Sequence, residues 1–290
     1  MDTAVGDGLD TEAIKSQLLG NALKRGTVVA RVGDPGLLDS SPPGQRPVDL
    51  LPQVRSMVVL AGAAPRAGEW SSPRVEVMET TGTADRISAL GNSLARTIEE
   101  TFGYYAMNVP TTTDRDDRAF LDFRAAAVAA GAGTSSLAGP ILHPEHGFLY
   151  LAVVLTSLPL EPDGPLTSGA CPAPACIQMW DAAGITPCMD VCPIDGGGCI
   201  GGEISQGVVV GRRFDNDRCR DRTYQYWVPG YQAVLERVLD EPNADRRKMM
   251  LYGSYFTRTL WSITYSGVAQ GQCFECMRAC PVGGKRRDLQ

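Results

Sequence analysis

Histidine is almost missing from this chain: 290 residues hold two of them. Positive charge is not in surplus either, since 27 lysines and arginines face 33 acidic residues for a formal net charge of -6. A dedicated nucleic-acid binder needs a basic face, so that class is disfavoured. No apolar run approaches the roughly 20 residues that a membrane span requires. The N-terminus, Met1 to Asp10, is acidic and small, with no basic leader, twin arginine or apolar core of a signal peptide. The expectation is a cytoplasmic chain in a reducing compartment. Cysteine is absent from the first 170 residues.

What is present then stands out. All nine cysteines lie between Cys171 and Cys280. An odd number leaves one thiol over if every other pairs, and a reducing compartment argues against pairing at all. Segregation of this kind points to a metal or cluster function in the C-terminal part. At 43% hydrophobic and 21% charged the chain can bury a core, and its length suits one large domain or about two ordinary ones.

The Pro/Gly-rich stretch Leu160 to Gly169 suggests a division into residues 1–165 and 166–290. In the first part helix and strand patterns alternate. Ile14, Leu18, Leu19 and Leu23 recur at helical spacing after a cap at Asp10 or Thr11, and Gly26 follows as a stop. Met57 to Leu60 is a continuous apolar run, as in a strand buried on both faces. Ile87, Leu90, Leu94 and Ile98 stripe a second helix ending at Gly103. Arg124 to Ala130 reads as a helix closing at Gly131 and Gly133, and Phe148 to Leu155 as another strand. The fold class is α/β (α+β), a layered domain. After residue 170 regular signals thin out, apart from helices around Tyr231 to Leu239 and Lys248 to Trp261.

The cysteine-rich half repeats the phrase Cys-x3-Cys-Pro, as Cys188 to Pro193 and, extended by Cys-x2-Cys, as Cys273, Cys276, Cys280 and Pro281. A short Cys-x2-Cys turn offers two thiolates to one iron–sulfur cube, and the cysteine before the proline turns toward the other cube of a two-cluster ferredoxin. Two such phrases should exchange their last cysteines. One cube then takes Cys273, Cys276, Cys192 and the remote Cys219. The other takes Cys188, Cys280, Cys171 and Cys176. Cys199 is left over, or replaces Cys171 or Cys176. Zinc is the competing reading, but it favours paired Cys-x2-Cys knuckles or added histidines, and one such pair exists here. A single cube is a further alternative.

Asp117 to Leu160 resembles the region before the clusters in epoxyqueuosine reductases and cobalamin-dependent reductive dehalogenases. The matching elements are an acidic residue before a helix, the Ala130 to Gly133 ending, the phrase Ile141 to Gly147, and the strand ending Leu158-Pro159-Leu160. Leu50 to Leu60, Ala84 to Pro110, and Asp215 to Cys219 are similar to further parts of these families. The resemblance implies a nitroreductase-like, cobalamin-binding type of domain followed by a ferredoxin-like module with two [4Fe-4S] clusters. It implies an oxidoreductase that takes electrons from an external low-potential donor of ferredoxin or flavodoxin type and reduces a small-molecule substrate, as monomer or homodimer. Asp117 falls at the general acid, with a helix cap as its alternative, and Tyr104 is a second catalytic candidate with packing as its alternative. Gly131, Gly133, Ser135, Ser136 and His143 fall at the cofactor cradle, although His143 and His146 read first as turn residues. Two departures are visible: the step Ser136-Leu137-Ala138 carries no charge, and the chain ends ten residues after Cys280, without the tRNA-holding repeat extension.

Overall fold

The computed structural model describes residues 10–63, 73–111, 119–192, 198–215, 218–219, 232, 235–253 and 275–283. It comprises two compact units. The first is formed by residues up to Arg66, Gly82–Ala173 and the segment from Val282, the second by Ala67–Thr81 and Pro174–Pro281.

In the first unit, helix α1 (Thr11–Lys24) starts at Asp10, whose carboxylate accepts a hydrogen bond from the Ala13 amide at 2.9 Å. Strand β1 (Val29–Gly33) follows, then a short helix α2 (Pro47–Leu50) and strand β2 (Ser56–Ala63). Helix α3 (Pro73–Thr97), which belongs to this unit from Gly82 onward, carries the stripe Ile87, Leu90 and Leu94, and a π-helical turn over Ile98–Phe102 closes it. Strand β3 is Ala106–Asn108, helix α4 Phe123–Ala129, strand β4 Thr134–Ser135, strand β5 Ile141–His143 and strand β6 Gly147–Thr156.

One antiparallel sheet organises the unit in the order β1-β2-β6-β5-β4, with β3 also paired to β6. Side chains along a strand alternate between faces. Ala30, Val32, Val58, Leu60, Ala152 and Val154 therefore pack with α1 and α3. Val29, Met57, Val59, Ala61, Val153 and Leu155 pack with the alanine-rich α4, Leu121 and Ile141. Continuous apolar runs are the usual mark of parallel strands. Here they arise because helices cover both faces of an antiparallel sheet.

Two details of the sequence reading change. Leu23 is 46% exposed, while Ala22 is buried with Ile14 and Leu18. Four-residue steps from Ile14 reach position 22, where a small side chain lets α1 lie close to β1. The cap of α4 is Asp122, whose carboxylate accepts from the Arg124 and Ala125 amides at 2.9 and 3.0 Å.

The Pro/Gly-rich stretch after Leu158 is fastened to this unit. Ser56 Oγ donates to the Leu158 carbonyl at 2.9 Å and accepts from the Leu160 amide at 2.8 Å. Asp163 accepts from the Val32 amide at 2.7 Å and pairs with Lys15 Nζ at 2.8 Å, with both side chains largely covered. Asp163→Ala should cost about 1–3 kcal/mol, because the Val32 amide loses its acceptor and the Lys15 ammonium is left with the Glu161 carbonyl alone. Urea titration compared with Lys15→Met/Asp163→Leu checks this: the double variant should be the more stable of the two.

The second unit contains α5 (Pro174–Ala183), α6 (Pro187–Asp190) and the hairpin β7 (Ile200–Ser205) with β8 (Val208–Phe214). Gln206 and Gly207 join the strands with φ of 50° and 77°, the backbone of a type I′ turn. Further helices span residues 235–240, Ala244–Tyr252 and Glu275–Arg278. The expected helix around Tyr231 to Leu239 therefore appears at 235–240. The other expected helix stops at Tyr252, and its remainder beyond 253 lies outside the described residues. Among the described residues no helix is long and apolar enough to cross a membrane.

Candidate metal centre

The β7–β8 hairpin brings distant cysteines together. Cys199 sits one residue before β7, and its carbonyl accepts from the Asp215 amide just after β8 at 2.7 Å. The Asp215 carbonyl in turn accepts from the Cys219 amide at 3.1 Å, and its carboxylate accepts from the Arg218 amide at 3.0 Å. Arg218 Nη1 reaches back to the Gly198 carbonyl at 2.9 Å. The open end of the hairpin is thus pinned, with Cys199 and Cys219 on its two arms.

Cys192 meets the same place from α6. Its sulfur lies 3.6 Å from the Cys199 sulfur and accepts from the Cys199 amide at 3.4 Å. A Cβ at position 198 would stand 3.1 Å from that sulfur, so glycine lets the chain press against Cys192. Helix α6, which carries Cys188, also packs against Glu275–Arg278, which carries Cys276. The two Cys-Pro phrases are neighbours in space.

Burial pushes the Cys199 thiol well above its ordinary range, with the Cys192 hydrogen bond and the negative charges of Cys219, Cys192 and Cys276 acting in the same direction. Gathered thiolates of this kind repel one another until positive iron is supplied. None of the eight described cysteines is in a disulfide. Among the described residues no group of three His, Cys, Asp or Glu side chains is close enough to hold a single metal ion. The sequence reading left Cys199 over or moved it to the Cys188 set; in the structure it stands beside Cys192.

The remaining candidates of that set are spread out. Cys188 Sγ lies 3.3 Å from the Thr186 hydroxyl. Cys176 is buried in α5. Cys171 belongs to the first unit, where its sulfur accepts from the Leu137 amide at 3.4 Å. Cys280 follows the helix Glu275–Arg278, and Cys273 lies outside the described residues.

The resemblance-based residues of the first unit fall around the β4–β5 hairpin. Gly131 and Gly133 follow α4 at tight approaches to Gly164 and to the Ile141–Leu142 segment. Ser135 lies in β4, and the buried Ser136 donates from Oγ to the Pro140 carbonyl at 2.8 Å. Tyr104 packs against the core formed with α1 and α3. Asp117 lies outside the described residues.

His143 ends β5 at the turn into β6, stacks on His146 at 4.7 Å, and accepts the Glu145 amide on Nδ1 at 3.2 Å. Burial lowers its pKa below 6.5, His146 and Arg31 add to the effect, and Glu145 opposes it. The folded chain thus takes up the His143 proton less readily than the unfolded chain does. Its contribution is present above the ordinary histidine pKa and is lost as pH falls through it. Between about pH 7.5 and 5.5 the urea midpoint should fall more for the wild type than for His143→Gln. Parallel slopes would remove His143 as the cause.

No family model and no curated protein matches this chain. Solved structures do. An epoxyqueuosine reductase with an epoxyqueuosine-modified tRNA-Tyr stem loop superposes with a TM-score of 0.53 at 18% identity, covering 96% of this chain and 67% of that one. The epoxyqueuosine reductase from Bacillus subtilis gives 0.51 at 19% identity, with 96% and 67% covered. A catabolic reductive dehalogenase in complex with 3-bromo-4-hydroxybenzoic acid gives 0.53 at 16% identity, covering 96% of this chain and 40% of its own. This chain has the fold of these reductases. Within that reductase fold, the paired Cys-Pro phrases and the β7–β8 hairpin are where its thiols gather.

Proposed function

We propose that this protein is a cytoplasmic iron–sulfur reductase in which two [4Fe-4S] clusters pass electrons to a corrinoid and thence to a small organic substrate. The observation that carries it is the Cys192–Cys199 contact at the end of a hairpin whose other arm leads to Cys219, with α6 packed on the helix bearing Cys276. The donor set fits iron–sulfur: thiolates from both phrases, without disulfides among the described cysteines. Cys273, Cys276, Cys192 and Cys219 are assigned to one cluster, and Cys188, Cys280, Cys171 and Cys176 to the other.

The corrinoid enters through the sequence resemblance; when bound and reduced, it would supply a strong nucleophile and reductant. Asp117 is assigned to hold the proton delivered to product. Its alternative role as cap of α4 is taken by Asp122. Tyr104 is a second catalytic candidate, with packing against the core of α1 and α3 as its alternative, and the electron donor would be a ferredoxin or flavodoxin. The tRNA stem loop belongs to the neighbour that binds it, and a net charge of -6 favours a small substrate here.

A corrinoid-free electron carrier is the second reading. It is favoured by the β4–β5 turn, where the Ser136 hydroxyl and the Leu137 amide are already engaged by Pro140 and Cys171. Anaerobically purified protein separates the possibilities. About eight iron per chain supports two cubes, and about four sinks that count. Hydroxocobalamin that co-elutes and shifts to a base-off spectrum supports the corrinoid reading; failure to co-elute leaves the carrier. If it binds, Asp117→Asn should retain it and slow turnover by about 10²-fold or more.

A further inference from the structure

The cysteine grammar leaves Cys199 over or lends it to the Cys188 set, yet the fold sets it against Cys192, a proposed ligand of the other cluster. Its sulfur is 3.6 Å from Cys192 Sγ, its amide donates to the same sulfur at 3.4 Å, and its side chain is buried. The position is enforced from both sides. The hairpin bond from the Asp215 amide fixes the Cys199 carbonyl, and Arg218 fixes the residue before it.

Two ligands of one cube bind different irons, which stand across the diagonal of a cube face, and their sulfurs point outward and apart. A sulfur in hydrogen-bond contact with Cys192 is therefore badly placed to be a second ligand of the same cluster. It is well placed to donate. Once Cys192 is an iron-bound thiolate it has no proton, so Cys199 must be the donor in this contact.

We propose that Cys199 is a positioning residue whose thiol donates a hydrogen bond to the cluster sulfur of Cys192 and thereby raises the reduction potential of that cluster. The inference rests on the cluster reading above. A donor drains charge from the ligand sulfur, and this favours the more negative, reduced cluster. The amide of Cys199 supplies a second donor that no side-chain substitution removes. Exchanging the side chain therefore reads the thiol alone.

The test uses anaerobic holoprotein, iron analysis and redox titration followed by electron paramagnetic resonance. Cys199→Ala should keep the full wild-type iron content and shift one of the two cluster potentials downward, leaving the other in place. Cys199→Ser, which restores a donor, should return most of the shift. Loss of about half the iron in either variant would make Cys199 a ligand and overturn the proposal. Full iron with both potentials unmoved would overturn it too, as would a serine variant indistinguishable from alanine. Wild-type protein that carries no iron would instead sink the cluster reading itself, together with this inference.

Discussion

Cys188→Ser and Cys192→Ser should each remove about four of about eight iron, and the double variant should remove all of them. The two cysteines are one helical turn apart, on α6 and its end, so proximity alone would put them on one centre. Their surroundings differ. Cys188 Sγ lies beside the Thr186 hydroxyl, whereas Cys192 Sγ lies against Cys199 at the pinned end of the hairpin. The Cys-Pro grammar accounts for this, because the cysteine before proline serves the other phrase's cluster. Additive iron loss is the signature of that exchange. A double variant losing no more iron than either single variant would place both thiols on one cube, and the interleaved assignment would fall. Reciprocally, Cys276→Ser combined with Cys192→Ser should lose no more than one cluster.

Much of the first unit was legible because its signals are long and redundant. The stripe Ile87, Leu90, Leu94 and Ile98 and the run Met57 to Leu60 each commit several residues to one environment, and all are buried as expected. Errors came where one position decides. Leu23 reads as part of a stripe by composition, but the helix turns it outward and seats Ala22 instead. Asp117 and Asp122 are both acidic residues before an alanine-rich helix, and only adjacency to Arg124 and Ala125 selects Asp122 as the cap.

The second unit was less legible because its order comes from pairing across sequence. The β7–β8 hairpin carried a usable signal, Gln206-Gly207 between Ile204 and Val208, hidden among glycines and cysteines. That hairpin decides the environment of Cys199. Spacing along the chain could name the ligand phrases, since each is local. It could not reveal that a cysteine seven residues beyond Cys192 is folded back onto it.

Gly131→Ala should destabilise the apo protein by about 2–4 kcal/mol, a large part of a typical total of about 5–15 kcal/mol. Gly131 ends α4 at φ +70°, a conformation that costs an L-residue about 1 kcal/mol or more. Its missing side chain also makes room for the chain: a Cβ would fall 2.2 Å from the Gly164 carbonyl oxygen. That obstacle is backbone, in the stretch that Asp163 fastens to β1, so relief requires the stretch to lift or α4 to tilt in its core. Overpacking of this kind adds about 1–3 kcal/mol. Gly20, inside α1 with nothing within 4 Å of its would-be Cβ, is the opposite case, and Gly20→Ala should stabilise by about 0.5–1 kcal/mol. Urea midpoints should therefore move in opposite directions for the two substitutions. Because the Gly131 contact is made by the chain itself, the loss should be the same with and without added hydroxocobalamin. A loss seen only in the presence of corrinoid would return Gly131 to the cradle that the resemblance gave it, and an unmoved midpoint would remove the Gly164 contact as its reason for being glycine.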